Sequence, residues 1–361
     1  MTYYRLGRTA QAQSAFLAAT RYPEIRAPAA YNLGRIARER GDTQAAMHWF
    51  ERAAHSARTE AVRSQALAAK RALEPTQATG PWSGSVRLGL GYDSNVSLSP
   101  AQASGAARVG DTVVEPELDA RYPLGNGRRL FIGLYAAQYA THGEFDYDRA
   151  RVGYGARLSS DPWDVDVRGA LTHERFNDAP FENTLSATGA GWRPVAGDRW
   201  LRLAGSIEAV RGAGGYGFLD GTTARLAAGI GGRFATGGRW RIDARVARTD
   251  RHDFSATNDF YSFSATSPGA SFQVSGDLDP QDRVTAYLDA ERSDYDGTEI
   301  RNGAPIGSRA DRTLEIGLLA SHRLDSRSRI RAEVSRTRRA STIDEFDYNR
   351  YLVHIGIEYE F

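Results

Sequence analysis

The last eleven residues alternate between apolar and other side chains, with Leu352 the one exception. In YLVHIGIEYEF, tyrosine, valine, isoleucine and the final Phe361 share one face, while histidine, glycine and glutamate share the other. A period of two predicts a β-strand whose two faces have unlike surroundings. An apolar last residue with no further chain to cover it is typical of a strand whose outer face contacts lipid.

The same alternation recurs from Trp82 onward, in segments separated by loops of two lengths. Long and short loops take turns without exception, and the short turn LGNGR contains the Asn-Gly pair of a tight hairpin. Seven long loops and six short turns predict fourteen antiparallel strands. An even strand number with loops sorted by length is typical of bacterial outer-membrane barrels, and a soluble sandwich has no reason to sort its loops.

The first part of the chain follows a helical period instead. RLGRTAQAQSAFLAAT recurs as RERGDTQAAMHWFERAA at an offset of 34 residues, the length of a tetratricopeptide repeat; the alternative is two unrelated amphipathic helices. We predict an α+β chain, with a tetratricopeptide-like helix-hairpin domain at 1–75, a linker at 76–81 and a fourteen-stranded antiparallel transmembrane β-barrel at 82–361. The residues expected to pack between helices are Gly7, Ala12, Phe16, Leu33, Gly34, Gly41, Ala46 and Phe50.

Charged residues alternate with the apolar residues of the predicted strands. Leu203, Ile230 and Ile316, for example, would contact lipid, whereas their charged neighbours would face the interior. A wet lumen avoids the several kcal/mol that each unpaired ion costs in a dry core. The predicted lumen lining is Arg225, Arg233, Arg241, Asp243, Arg245, Asp289, Glu291, Glu315, Arg331 and Glu333.

Aromatic residues cluster at the strand ends. Tryptophans near the short turns predict an interfacial girdle on the periplasmic side, and tyrosines predict a second row at the opposite end; the alternative is ordinary strand aromatics. Phe361, Tyr359 and Ile357 predict a C-terminal signal for the barrel assembly machinery. The girdle residues are Trp82, Trp163, Trp192, Trp200 and Trp240, and the second row is Tyr92, Tyr139, Tyr147, Tyr261 and Tyr348.

Composition removes several classes of function. The absence of cysteine excludes disulfides, thiolate metal sites and a cysteine nucleophile. The 46 basic and 44 acidic residues are evenly mixed, with Lys70 the only lysine, and therefore predict no nucleic-acid face. No apolar run is long enough for a membrane helix. The start lacks the features of a secretory signal, so we expect the natural protein to begin upstream.

Two glycine and carboxylate patterns resemble ligand sites only superficially. Gly229, Gly231 and Gly232 lie within a predicted strand that no helix follows, so small lumen residues are favoured over a phosphate loop. The segment SDYDGTE has a calcium-like spacing but lacks the rest of a binding loop, which favours a solvated external loop.

Histidines give no catalytic constellation. His173 and His252 each precede a carboxylate, but no motif places a serine or a second carboxylate beside them, and His354 is expected to be a hydrogen-bonded structural residue of the lumen. We predict no enzymatic activity, no metal and no cofactor. The predicted partners are outer-membrane lipids, the barrel assembly machinery and an exported protein.

The first predicted strand comes just after the helical part and ends at Tyr92, and Asp93-Ser94-Asn95 follow it to complete a Gly-Tyr-Asp-Ser-Asn junction. This junction resembles the family of surface lipoprotein assembly modifiers, outer-membrane proteins with periplasmic tetratricopeptide repeats and a C-terminal fourteen-stranded barrel. The resemblance implies a translocator for a lipoprotein or small secreted protein, with the helical domain as its periplasmic docking surface, although this chain has fewer repeats.

Two alternatives remain open from the residues. A passive pore or polysaccharide-export channel would use Arg225, Arg233, Arg241 and Arg245 as an anion-attracting ladder. A receptor or adhesin would act through its external loops, but the longest loop, 293–311, is short of aromatic hot spots.

Overall fold

The computed structural model describes residues 9–22, 25–39, 42–57, 59–71, 82–98, 109–160, 162–195, 198–234, 238–279 and 281–361. The chain divides into two compact units, Met1–Thr79 and Gly80–Phe361. Gly7, Gly41 and the predicted linker 76–81 lie outside the described residues.

The first unit is helical. Among the described helices, none is both long and apolar enough to cross a bilayer. Helices α1 and α3 begin 34 residues apart, which matches the offset between the two similar segments, and the side chain of Asp42 caps α3 by accepting a hydrogen bond from the Ala45 amide at 2.9 Å. The bounds are α1 Thr9–Ala19, α2 Arg26–Glu39, α3 Thr43–Ser56 and α4 Glu60–Arg71.

Small residues let these helices approach closely. Ala12 and Phe16 of α1 pack with Leu33 of α2 in one buried cluster. Gly34 lies against the ring of Phe50, where an added Cβ would come within 2.7 Å of two ring carbons. Of the eight residues predicted to pack between helices, the six that are described, Ala12, Phe16, Leu33, Gly34, Ala46 and Phe50, therefore lie at helix contacts.

The second unit is a closed antiparallel barrel of fourteen strands, which confirms the predicted fold class. Four short strands, β10 Phe254–Ser255, β11 Phe260–Tyr261, β14 Glu299–Arg301 and β15 Ala304–Gly307, form a separate sheet in the loops. The barrel strands are β1 Ser83–Asp93, β2 Asp111–Gly125, β3 Arg128–Tyr139, β4 Tyr147–Ser160, β5 Trp163–Phe176, β6 Ala179–Pro194, β7 Arg199–Gly212, β8 Gly221–Arg233, β9 Arg239–Arg251, β12 Ala265–Asp277, β13 Asp282–Tyr295, β16 Ala310–Arg323, β17 Ser328–Ser341 and β18 Tyr348–Glu360.

Long and short connections alternate along the barrel as predicted, except between β5 and β6, where the predicted long loop is the two-residue turn Asn177-Asp178. The turn between β2 and β3 has Asn126 and Gly127 at φ values of +50° and +72°, as an Asn-Gly hairpin requires. The barrel closes between β1 and β18, whose pairing runs from Ser85 opposite Glu360 to Asp93 opposite Leu352. The amide and carbonyl of Phe361 both bond to Gly84, which explains why the chain can end in a strand.

Three of the long loops contain the same turn. A 3-10 turn at 143–145, 217–219 and 344–346 is followed in each case by an aspartate, whose side chain accepts a backbone hydrogen bond from the end of the preceding strand. Aromatic rings from these and neighbouring loops touch in a continuous row. The row is Phe145, Phe176, Phe181, Tyr216, Phe218, Phe254, Tyr261 and Phe346.

The substitution Gly34→Ala tests the helix packing, because the packing decides whether the substitution raises or lowers the stability of the helical unit. Replacing glycine by alanine in an exposed helix stabilises it by about 0.8–1 kcal/mol. Here the added Cβ would collide with the ring of Phe50, so we expect a loss of roughly 1–3 kcal/mol, as for other overpacked sites. Thermal denaturation followed by circular dichroism at the helical band should show earlier melting, and an unchanged or higher melting temperature would contradict the packing described.

Candidate functional site: the inner wall of the barrel

The two faces of the barrel wall differ in chemistry. Large apolar side chains such as Leu226, Ile242 and Leu314 are 66%, 47% and 45% exposed and share one face by the pairing register. On the other face, charged side chains cross the adjacent strand and contact residues of the strand beyond it. Only the concave side brings second-neighbour strands close enough for this, so the charged face lines the lumen and the apolar face is the outer wall.

Arg245 shows how the inner wall is built. Its guanidinium crosses from β9 to β13 and bonds both carboxylate oxygens of Asp289, at 2.6 and 2.7 Å, as well as Glu291 Oε2 at 3.1 Å. The intervening strand β12 contributes Gly269, where a Cβ would lie 3.0 Å from the guanidinium carbon. A larger residue at that position would therefore displace the arginine.

Tyr287 repeats the arrangement between β13 and β17. Its hydroxyl lies 3.0 Å from a carboxylate oxygen of Glu315 and 2.9 Å from one of Glu333. The ring passes over Gly317 of β16, where a Cβ would come within 2.3 Å of it. Because the hydroxyl has one proton to donate, it serves one carboxylate at a time, and Glu315 has a second contact with Thr337 Oγ1 at 3.4 Å.

Asp243 forms a third bridge, from β9 across β8 to β7. It accepts from Arg202 Nη1 at 3.1 Å and pairs with Arg241 Nε at 2.7 Å. Gly229 of β8 lies beneath it, where a Cβ would stand 2.2 Å from Asp243 Oδ1 and 2.7 Å from the Ile242 carbonyl. Of the glycines that resembled a phosphate loop, Gly229 and Gly231 thus provide clearance for inward side chains, whereas Gly232 lies on the outer face against Trp240.

A polar cluster also spans the seam between β1 and β18. His354 Nδ1 lies 2.9 Å from Glu115 Oε2, and Glu115 also accepts from the hydroxyl of Tyr135. Near the long-loop end, the fully buried Asp93 bonds Arg350 Nη2 at 2.5 Å. His354 therefore has the hydrogen-bonded position expected for it, and the seam is tied by side chains as well as by backbone pairing.

The pairing register places all ten predicted lining residues on the inner face. Three arginines of the supposed anion ladder are neutralised, however, because Arg225 pairs with Glu208 at 2.7 Å, Arg241 with Asp243, and Arg245 with Asp289. The ladder is therefore not a row of free cations. The ten residues are Arg225, Arg233, Arg241, Asp243, Arg245, Asp289, Glu291, Glu315, Arg331 and Glu333.

Other inward arginines lack a carboxylate partner among the described residues. Arg149 stacks on Tyr135 and Arg151 on Phe131, at 5.3 Å from each ring centre. Arg233 and Arg239 stand directly opposite each other at the β8–β9 turn. Like charges placed opposite each other repel, so this pair places local positive charge at the short-turn end of the lumen.

The predicted tryptophan girdle is wrong for two of its five members. Trp82, Trp163 and Trp240 lie on the outer face near the short turns, but Trp192 and Trp200 point inward. Trp200 lies over Gly231, where a Cβ would meet its ring at 2.5 Å. Small residues on the inner wall therefore provide room for an indole that the strand position alone would assign to lipid.

The second aromatic row is also mostly inward. Tyr92 lies on the outer face and Tyr261 belongs to the loop sheet, whereas Tyr139, Tyr147 and Tyr348 share the inner face of their strands. The prediction of an interfacial tyrosine row at the long-loop end is therefore wrong, because it used the height of each residue along its strand without its face.

Inward Trp192 borders a recess of about 400 Å³ in the inner wall. Arg168, Arg202 and Arg225 contribute cationic groups, and Asp166 contributes a carboxylate that already bonds Arg168 Nε at 2.6 Å. Arg202 and Arg225 are likewise paired, with Asp243 and Glu208, so the recess presents an indole beside ion pairs and not beside free cations. Sequence reasoning missed this recess because Trp192 was assigned to the outer face.

The remaining candidate ligand and catalytic residues do not come together in the structure. Asp294 pairs with Arg292, Asp296 with Arg248, and Glu299 accepts hydrogen bonds from the Ser262 amide, so the calcium-like carboxylates bind separate partners. His173 lies on the outer face, 2.9 Å from Asn183 Oδ1. Among the described residues, no group of three histidine or carboxylate side chains is arranged to hold a metal ion.

Comparison with known proteins gives similarity at the level of whole barrels. No family model matches the sequence, and no curated protein matches it. OmpT, an outer membrane protein of Vibrio cholerae, is 9% identical over 78% of this chain and 96% of that chain, with a TM-score of 0.44. A bacterial polysaccharide outer membrane secretin is 11% identical over 76% and 98% (TM-score 0.44), and an anion-selective porin from Comamonas acidovorans is 10% identical over 78% and 98% (TM-score 0.43).

The substitution Gly229→Ala tests the layer of side chains on the inner wall. Glycine in a strand interior usually costs about 0.5–1 kcal/mol relative to alanine, so alanine should stabilise an ordinary strand. At Gly229 the methyl group would meet both Asp243 and a backbone carbonyl. We expect a loss of roughly 1–3 kcal/mol, seen as a lower temperature of unfolding in gel-shift experiments on the detergent-solubilised protein.

Gly276→Ala is the matched control, because a Cβ on Gly276 of β12 meets nothing within 4 Å. It should leave the unfolding temperature unchanged or raise it slightly. Equal effects of the two substitutions would contradict the proposed role of Gly229.

Proposed function

We propose that this chain is a bacterial outer-membrane protein that helps a lipoprotein or small secreted protein cross the outer membrane. One observation supports this most: a single chain joins a closed fourteen-stranded barrel to a helical unit that leaves apolar side chains uncovered. Tyr22 and Ile25 are 61% and 48% exposed, and Leu17 is 42% exposed, all within nine positions of one another. Such a cluster suits the capture of an extended polypeptide, whereas diffusion of small solutes does not need it.

The ends of the barrel support the placement of the helical unit in the periplasm. Strand β1 begins at the end of the barrel where the short turns lie. In bacterial outer-membrane barrels the short turns face the periplasm. The last strand ends there too, and its outward residues Ile357, Tyr359 and Phe361 suit recognition by the barrel assembly machinery before insertion.

Asp93 and Asn95, which belong to the junction that carries the family resemblance, hold the first strand to the last. Asp93 and Asn95 are both fully buried. Asp93 bonds Arg350, and Asn95 Nδ2 donates to the Asn349 carbonyl at 3.1 Å, so each ties the first strand to the last. The junction thus closes the barrel, and the cargo preference has to lie in the helical unit or the lumen.

Protease shaving of intact cells tests the proposed export. The cells would express a lipoprotein encoded beside this gene, with or without this protein supplied behind a working signal sequence. We expect the lipoprotein to become protease-accessible only when the barrel is present and a periplasmic marker stays protected. A triple substitution Leu17→Ser, Tyr22→Ser and Ile25→Ser should reduce exposure several-fold while barrel abundance stays constant. Unchanged exposure in the absence of the barrel would refute the proposal.

The seam gives a second prediction. Leu90 and Ile355 stand directly opposite each other on the outer face of β1 and β18, and the chain has no native cysteine. Opposed residues of antiparallel strands have Cα atoms about 4.5–5.5 Å apart, within disulfide range. We expect Leu90→Cys/Ile355→Cys to cross-link and to keep full export, because the seam is completely paired. Loss of export that a reductant restores would instead show that cargo leaves through the seam.

A passive pore is the second candidate, including a channel for polysaccharide export. Arg233 and Arg239, which have no carboxylate partner in the described part of the chain, favour it, together with the recess beside Trp192. A steady anion-selective conductance in planar bilayers, reduced by Arg233→Ala/Arg239→Ala, would support this reading if shaving shows no export.

A further inference from the structure

Three arginines lie where the outer wall should be apolar. Arg312 of β16 and Arg336 and Arg338 of β17 are exposed and alternate with inward residues, so they share the outer face with Leu314 and Ile316. Leu314 pairs with Arg338, and Ile316 pairs with Arg336, so the side chains form one surface across two strands. We call Arg312, Arg336 and Arg338 the outer arginine patch.

The described residues supply no counterion to the patch. None of its three guanidinium groups has a carboxylate within salt-bridge distance in the described part of the chain. Two other outward arginines near the long loops do have such a partner: Arg248 pairs with Asp296 at 2.5 Å and Arg292 with Asp294 at 2.7 Å. Arg312 is also directly opposite Arg292, whose charge is balanced by Asp294.

The patch lies at the boundary of the apolar band, on the side of the long loops. Arg336 stacks on the outward ring of Tyr351 at 5.2 Å, and Val334 and Val353, one step toward the short turns on the same face, are 46% and 52% exposed. An aromatic residue between polar and apolar zones marks the level of lipid headgroups. The groups that a membrane presents at this level include phosphates.

We propose that the outer arginine patch binds a membrane lipid whose headgroup carries more than one phosphate, in the leaflet next to the long loops. Guanidinium groups fit phosphate with paired hydrogen bonds and remain charged at all accessible pH values. Several neighbouring arginines without carboxylates match several phosphates, because each anion relieves the repulsion between cations. The lipid would anchor this wall, β16 and β17, independently of what the lumen transports.

Native mass spectrometry of the full-length protein in detergent tests the proposal. The probes are diphosphoryl lipid A, monophosphoryl lipid A, phosphatidylethanolamine and inorganic pyrophosphate. We expect retention in the order diphosphoryl, monophosphoryl, phosphatidylethanolamine. The variant Arg312→Gln/Arg336→Gln/Arg338→Gln should lose affinity for the diphosphoryl lipid about tenfold or more, because the charge-assisted bonds are gone. The charge-matched control Arg175→Gln/Arg211→Gln/Arg248→Gln, on the outer face of β5, β7 and β9, should stay within about twofold.

The contrary results are equally specific. Equal retention of diphosphoryl lipid A by the patch variant and the wild type would overturn the proposal. So would binding of inorganic pyrophosphate that is as tight as binding of the lipid. If the triple glutamine variant does not fold, Arg338→Gln and the conservative Arg312→Lys/Arg336→Lys/Arg338→Lys replace it. Lysine keeps the charge but loses the paired geometry, so that variant should bind more weakly than wild type, and undiminished binding by both replacements would also overturn the proposal.

Discussion

The inner wall depends on long side chains that lie across glycines of the neighbouring strand. Arg245 crosses Gly269, Tyr287 crosses Gly317, and Asp243 lies above Gly229. The absence of a Cβ lets each side chain run along the wall and bond a residue two strands away. An exposed ion pair contributes only about 0–1 kcal/mol, so the backbone ladder stabilises the barrel, while this layer determines which groups the lumen presents.

The charge pattern follows from that layer. Most inward arginines have a carboxylate within reach, so the lumen is densely ionised without being strongly cationic along its length. The exceptions lie at particular places, such as Arg233 and Arg239 at the short-turn mouth. On the outer wall, Arg312, Arg336 and Arg338 have no carboxylate partner among the described residues and no water-filled lumen to face, which is the basis of the proposed lipid contact.

Loop lengths and alternation were enough to predict the barrel, because both are local properties of the sequence. The face of a residue near a strand end was not, since it depends on register: Trp192 and Trp200 have the height of girdle residues but the wrong face. Glycine clearance also needs the neighbouring strand to be known. The repeated turn had a visible signal, THGEFDYDR against TIDEFDYNR, which a search for short repeats would find.

The central claim is that the apolar face meets lipid and the ionised face lines a wet lumen. The most direct test is fluorescence quenching of single-tryptophan variants, with the other tryptophans replaced by phenylalanine, in vesicles that contain brominated lipid. Trp163 and Trp240 should be quenched by the brominated chains, whereas Trp192 and Trp200 should not be and should respond to aqueous iodide. Lipid quenching of Trp192 and Trp200, with none at Trp163 and Trp240, would contradict the assignment of the two faces.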